Sequence, residues 1–169
     1  YQQAIASHDK AIAVRVDYAE AWYNRGVALQ ELNKYDEAII SYKRAISIKP
    51  DYYDAWCNLG ITNTSIGFFS EAEISYREAI RLNPKNLLAQ SNLLLAMNYM
   101  EFVSPQDILM EAKIYGLKVK DSCNPKFTSW NTTTGKEILK IGFVSGDFRS
   151  HPVGYFIEGM LEHIETDSF

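Results

Sequence analysis

One histidine and three asparagines are the side chains of this sequence whose types and positions best suit chemistry. His151 stands in the segment 146–152, Gly-Asp-Phe-Arg-Ser-His-Pro, directly after an apolar run. An imidazole can accept a proton near neutral pH, which suits the activation of a hydroxyl nucleophile. Asn24, Asn58 and Asn92 recur at a fixed spacing, and a side-chain amide both donates and accepts hydrogen bonds. The sequence therefore offers one candidate base and one candidate row of amides.

Other polar candidates have structural explanations. His8 aligns with Tyr42 in an internal repeat, so we predict that it packs between helices. Asp147 lies in a predicted strand-to-helix turn, where aspartate usually binds backbone amides. Cys57 and Cys123 match no metal-binding spacing, and their small number favours a reducing compartment. For His151 itself, the alternative is a capping or hydrogen-bonded structural histidine.

The composition limits the classes of function. Among the 169 residues, 47% are hydrophobic and 22% are charged, with a formal net charge of -4. This balance argues against a dedicated nucleic-acid binder, which usually carries a basic face. No apolar run approaches the roughly 20 residues that a membrane helix needs. We expect a cytoplasmic protein that binds neither nucleic acid nor membrane.

An internal repeat with an offset of 34 residues organises the first part of the chain. The matching positions are Trp22 and Trp56, Asn24 and Asn58, Gly26 and Gly60, Ala38 and Ala72, Tyr42 and Tyr76, Ala45 and Ala79, and Pro50 and Pro84. This period and this order of residue types are typical of the tetratricopeptide (TPR) repeat, a pair of antiparallel helices.

The residue types at the repeated positions suit closely packed helices. Small residues, Gly26, Ala38 and Ala45, are predicted where two helices approach each other, and tryptophan and tyrosine fill the spaces between them. Trp22 and Trp56 are therefore predicted to be core residues and not a platform for a sugar. Asn33 and its counterpart Gly67 fall at the turn within each pair, where a left-handed residue ends the first helix.

The repeats define the expected domain organisation. We predict the second helix of a repeat at 1–18, full repeats at 19–52 and 53–86, a half repeat at 87–100, a capping helix at 101–119 and a linker at 120–137. The capping helix should begin after Ser104, with Pro105 in its first turn. Because the chain starts inside a repeat, we expect the natural protein to extend beyond it.

Residues 138–169 have a different character. A β-branched and aromatic run at 138–145 predicts a buried strand, and apolar spacing predicts a helix at about 153–164. A strand, a loop and a helix begin a parallel α/β unit, in which ligands bind outside the carboxyl ends of the strands. The predicted fold class is therefore mainly all-α, a TPR superhelix, followed by the start of an α/β lobe.

Three segments resemble one family. They are SNLLLAMNY at 91–99, SPQDILMEAKIYG at 104–116 and LKIGFVSGDFRSHPVGYFIE at 139–158. Together they resemble the junction in the TPR-containing O-GlcNAc transferase family, where repeats lead through a short helical cap into a two-lobed glycosyltransferase of the GT-B type. By this resemblance, residues 138–169 begin the catalytic lobe, and the chain is an N-terminal fragment that lacks most of that domain and is inactive alone.

The resemblance also implies a reaction and its participants. Enzymes of this family transfer N-acetylglucosamine from UDP-N-acetylglucosamine to serine or threonine of proteins, and some plant relatives transfer fucose from GDP-fucose. The donor is a substrate, so no cofactor or metal is implied. His151 matches the family's active-site histidine. Asn24, Asn58 and Asn92 match its asparagine ladder, which would hold the backbone of an acceptor polypeptide.

Three alternatives stay open at this point. The asparagines could bind backbone within the array or water. The chain could belong to a non-enzymatic TPR scaffold, or to a transferase-like protein that has lost activity and kept peptide binding.

Overall fold

The computed structural model describes residues 1–122, and these residues form seven helices joined by short connections. The helices are α1 (Gln2–Val14), α2 (Ala19–Gln30), α3 (Tyr35–Ile48), α4 (Tyr53–Ser65), α5 (Phe69–Leu82), α6 (Leu87–Met97) and α7 (Pro105–Ser122). His151, Asp147 and the predicted strand and helix of the α/β unit lie outside the described residues. Within residues 1–122, no helix is both long and apolar enough to cross a membrane.

The helices stack in the order of the chain. Each one packs on the next, and the first helices of successive pairs also touch, α2 with α4 and α4 with α6. The array of helix pairs that the period predicts is therefore confirmed, as is the all-α part of the fold class. The contact between first helices produces one continuous surface across α2, α4 and α6.

Tyrosine and glycine form the closest contacts inside the two full pairs. Tyr42 and Tyr76 are fully buried, at 0% and 1% exposure. Their rings lie directly against Gly26 and Gly60. The alanines at the repeated positions are also buried, so the prediction of small residues at the helix contacts is confirmed.

The turn within each pair uses a left-handed residue, as predicted. Asn33 has φ 58° and Gly67 has φ 81°. The amide of the following residue binds back to the last turn of the first helix: Lys34 N donates to Leu29 O at 2.9 Å, and Phe68 N to Asn63 O at 2.8 Å. This hydrogen bond satisfies a carbonyl that the ended helix leaves open.

Each tryptophan fixes the first helix of its pair to the preceding connection. Trp22 Nε1 donates to Val16 O, and Trp56 Nε1 donates to Pro50 O, both at 2.9 Å. Both indoles are half-buried and neither belongs to the buried core, so the prediction of core residues is wrong. Trp56 packs against the core clusters, and the two N–H bonds tie each helix to the chain before it.

Helix α7 begins as predicted and extends beyond the predicted boundary at residue 119. Ser104 Oγ accepts a hydrogen bond from Asp107 N at 3.1 Å, which caps the helix that starts at Pro105. The helix continues to Ser122, beyond residue 119, because Lys120, Asp121 and Ser122 include no proline or glycine to end it.

Candidate functional site

The three asparagines occupy equivalent places in three stacked helices. Asn24, Asn58 and Asn92 are each the sixth residue of their helix, α2, α4 and α6. Asn58 Nδ2 donates to Tyr23 Oη at 3.1 Å, and Tyr23 directly precedes Asn24. The amide on α4 therefore reaches α2 at the level of the asparagine there.

The amides differ in their surroundings. Asn24 is exposed, whereas Asn58 and Asn92 are half-buried. Among the described residues, the side chains of Asn24 and Asn92 have no hydrogen-bond partner. Cys57 stands one repeat after Tyr23, so Asn92 lacks the hydroxyl that orients Asn58. Two amides are thus free to bind a ligand, and one is already oriented.

Two tyrosine hydroxyls near the asparagines, those of Tyr23 and Tyr42, have raised pKa values. Burial raises the pKa of Tyr23, and the Asp54 carboxylate raises it further. Burial likewise raises the pKa of Tyr42 far above its ordinary value. Tyr42 Oη donates to Gln30 Oε1 at 2.9 Å. Both hydroxyls therefore stay protonated and uncharged at neutral pH.

We call the surface that carries the asparagines the ladder face. On a helix, positions i, i+4, i+7 and i+11 share one side. The ladder face therefore comprises Glu20, Asn24 and Val27 on α2 with Glu31 directly after it, Asp54, Asn58, Ile61 and Ser65 on α4, and Leu88, Asn92 and Leu95 on α6 with Tyr99 after it.

Arg25 fills the space between α1 and α3, the second helices of the first two pairs. We call the spaces between successive second helices the intervals of the array, and this is the first. Arg25 Nε donates to Asp9 Oδ1 and Arg25 Nη1 donates to Ser41 Oγ, both at 2.7 Å. The only sequence signal for this arginine is its position, where the next repeat carries a leucine, Leu59.

The second interval holds a cavity instead. Lys43, Leu59, Asn63 and Ser75 are the counterparts of Asp9, Arg25, Leu29 and Ser41. They line a cavity of about 270 Å³ together with Ile46, Trp56, Glu71 and Ile74. The aliphatic Leu59 is shorter than arginine and cannot reach the hydroxyl of Ser75, so the space stays open.

A polar network closes the third interval, between α5 and α7. Gln90 Nε2 donates to Glu111 Oε1 at 3.1 Å, and Arg77 Nη1 lies 3.6 Å from Glu111 Oε2. Residues 1–122 contain no group of three or more side chains suited to bind a metal ion.

Comparison with known proteins identifies the repeats. Models of the tetratricopeptide repeat match residues 19–52 and 53–86. The crystal structure of MamA aligns with a TM-score of 0.65 and 25% identity, over 70% of this chain and 68% of that one. The first TPR of Spaghetti (RPAP3), solved with an HSP90 peptide, aligns with a TM-score of 0.57 and 22% identity, over 58% of this chain and 78% of that one.

Curated relatives are plant proteins named Probable UDP-N-acetylglucosamine--peptide N-acetylglucosaminyltransferase SPINDLY. The Arabidopsis thaliana protein is 40% identical over 72 residues, which is 41% of this chain and 8% of the relative. The Solanum lycopersicum protein is 34% identical over 77 residues, which is 45% of this chain and 8% of the relative. The chain thus spans a small part of the length of these relatives.

The fold and the matched repeats define a TPR-containing protein. Its similarity to SPINDLY confirms the resemblance to the TPR-containing O-GlcNAc transferase family, and this similarity covers less than half of the chain.

Proposed function

We propose that this chain supplies the acceptor-binding region of a protein O-glycosyltransferase, which moves N-acetylglucosamine from a UDP-sugar to serine or threonine of proteins. The observation that carries the proposal is the recurrence of asparagine at the sixth residue of α2, α4 and α6. Similarity to SPINDLY supports the glycosyltransferase part. The peptide bound to the TPR of Spaghetti supports a polypeptide partner.

The spacing of the helices suits an extended polypeptide. Packed helices lie about 8–10 Å apart, and an extended chain rises about 3.3 Å per residue. Successive asparagines would therefore contact the acceptor backbone at points about three residues apart. A backbone contact of this kind is independent of the acceptor's side chains, because every residue except proline offers the same N–H and C=O groups.

His151 completes the proposal as an active-site residue. Its support is the resemblance of 139–158 to the first catalytic strand and turn of the family, together with the suitability of imidazole as a proton acceptor. The donor can instead be GDP-fucose, because relatives of the family differ in the sugar that they transfer.

The ladder can be tested in the full-length enzyme. Replacing Asn24, Asn58 and Asn92 together by alanine should raise the KM for a polypeptide acceptor, while hydrolysis of the free nucleotide sugar stays unchanged. The matched control replaces Ile40 and Ile74 by alanine; these side chains are 63% and 62% exposed and lie outside the ladder face. Unchanged acceptor kinetics in the triple variant would refute the role of the ladder.

The role of His151 needs its own experiment. His151→Ala in the full-length enzyme should lower kcat by orders of magnitude, and thermal unfolding should match that of the wild-type protein. Wild-type turnover would contradict the assignment.

A non-enzymatic scaffold is the second candidate. It is favoured by the location of both matched models within the helical repeats. The scaffold predicts that the full-length protein binds polypeptides and transfers no sugar from UDP-N-acetylglucosamine or GDP-fucose. Transfer from either donor excludes it.

A further inference from the structure

The ladder face changes its chemistry from one helix to the next. The position four residues before each asparagine carries Glu20 on α2 and Asp54 on α4, but Leu88 on α6. The position seven residues after each asparagine also changes from acidic to apolar, from Glu31 in the first pair to Tyr99 in the third. The face is therefore acidic at α2 and apolar at α6.

The apolar side chains at α6 lie on the surface and not in the core. Leu88, Leu95 and Tyr99 are 52%, 51% and 61% exposed, whereas Leu93 on the same helix is 0% exposed. The two leucines flank Asn92 on the ladder face. The ring of Tyr99 stacks on Phe69, with centroids 5.2 Å apart and planes at 14°, so its position is fixed. Two exposed leucines beside a ladder amide form a surface that an apolar side chain can cover.

The acidic part of the face can attract a cation. Among the described residues, the Asp54 carboxylate has no ion-pair partner, and Glu20 has only Lys49, at 3.9 Å. Asp54 is exposed, and it lies four residues before Asn58 on the ladder face.

We propose that the ladder face selects an extended polypeptide segment with apolar side chains over α6 and a basic residue over α4 or α2. This inference rests on the proposed function and names the class of acceptor. Because neighbouring helices are about 8–10 Å apart, the basic residue should lie about three to six residues from the apolar pair.

The test uses fluorescent peptides of two kinds and the full chain. One peptide carries two leucines at one end and arginine three to six residues away, and it is made in both sequence orders. The other has serine in place of both leucines. The wild-type protein should bind the leucine peptide about tenfold more tightly, because the apolar contact buries several CH₂ groups.

A matched pair of variants locates the effect. The variant with Leu88→Asp and Leu95→Ser should still bind both peptides, and its affinities for the two should be equal. Ile40→Asp with Ile74→Ser makes the same polar changes at side chains of similar exposure outside the ladder face, and should keep the difference. Leu88→Asp installs the residue that α4 carries at this position, in the first turn, where an acidic side chain favours the helix.

The outcomes separate the two proposals. Equal binding of the leucine and serine peptides by the wild-type protein overturns the apolar selection and leaves the ladder intact. Replacing the arginine by glutamate should weaken binding, and unchanged affinity overturns the cationic part. If neither peptide binds, or if the triple asparagine variant binds both as the wild type does, the ladder itself is wrong. The peptide comparison on the wild-type protein decides the question even if the leucine variant does not fold.

Discussion

Tyr76 lies so close to Gly60 that a Cβ atom on the glycine would be 2.5 Å from the tyrosine Cε1. We therefore expect Gly60→Ala to destabilise the protein by about 1–3 kcal/mol, since a buried ring must move to admit the methyl group. Urea unfolding measures the change. Gly116→Ala is the control, because no atom lies within 4 Å of its added Cβ. That change should stabilise α7 by about 0.5–1 kcal/mol. Equal effects at both glycines would contradict the packing argument.

The empty interval beside Leu59 can be filled in the way that Arg25 fills the first one. Leu59→Arg alone should destabilise the protein, because it removes a buried leucine and places a guanidinium beside Lys43 as well as Glu71, where Arg25 meets Asp9. Adding Lys43→Asp should restore the partners, with a favourable coupling of about 1–3 kcal/mol in a double-mutant cycle. Lys43→Asp alone changes an exposed side chain and should have an effect within about 0.5 kcal/mol. Additive effects would show that the two intervals differ in more than these residues.

Tyr53 offers a substitution that should not harm the fold. Its hydroxyl is buried and, apart from the weakly hydrogen-bonding Cys57 thiol, has no partner in the structure. Tyr53→Phe removes this poorly paired polar atom and keeps the ring, so we expect equal stability or a gain of up to about 1 kcal/mol. Tyr76→Phe is the contrasting variant, because the Tyr76 hydroxyl lies 3.1 Å from Thr64 Oγ1, and it should destabilise the protein. A clear loss in Tyr53→Phe would indicate a partner that the geometry does not show.

The array should lose stability in alkaline solution. Burial, with smaller effects from Tyr23 and nearby carboxylates, raises the pKa of Tyr52 to about 12, and burial also raises the pKa of Tyr23 and Tyr76. Above an ordinary tyrosine pKa of about 10, the unfolded chain releases these protons and the folded chain retains them. Stability is therefore complete below pH 10 and falls as the pH rises towards 12.

Thermal unfolding from pH 8 to pH 11.5 measures this loss. Tyr52→Phe should reduce the alkaline decrease, because one of the shifted groups is removed. A melting temperature that stays constant across the range would refute the assignment.

The sequence predicts the repeat architecture well because each element depends on local residues. The period of 34 residues, the left-handed positions at Asn33 and Gly67, and the cap at Ser104 all follow from residue type and spacing. The roles of His151 and the asparagines stay predictions.

The differences between equivalent sites cannot be predicted from the sequence alone. The bond from Asn58 to Tyr23 joins different repeats, and the filling of the first interval depends on Arg25 meeting Asp9 and Ser41 together. Such sets form only when three helices are in place, so no single pattern along the chain indicates them. Helix α7 passes residue 119 for a simpler reason, since a polar segment without glycine or proline does not stop a helix.

The two indole N–H groups also bear on how the array deforms. Trp22 and Trp56 each tether a first helix to the connection before it, so those helix pairs must rotate together with their predecessors. Gln90 takes this position in the third pair, and its amide is bonded forward to Glu111 on α7. The first helix of the third pair is therefore held by its packing on α5 and by this forward bond, and not by an indole bond to the connection before it.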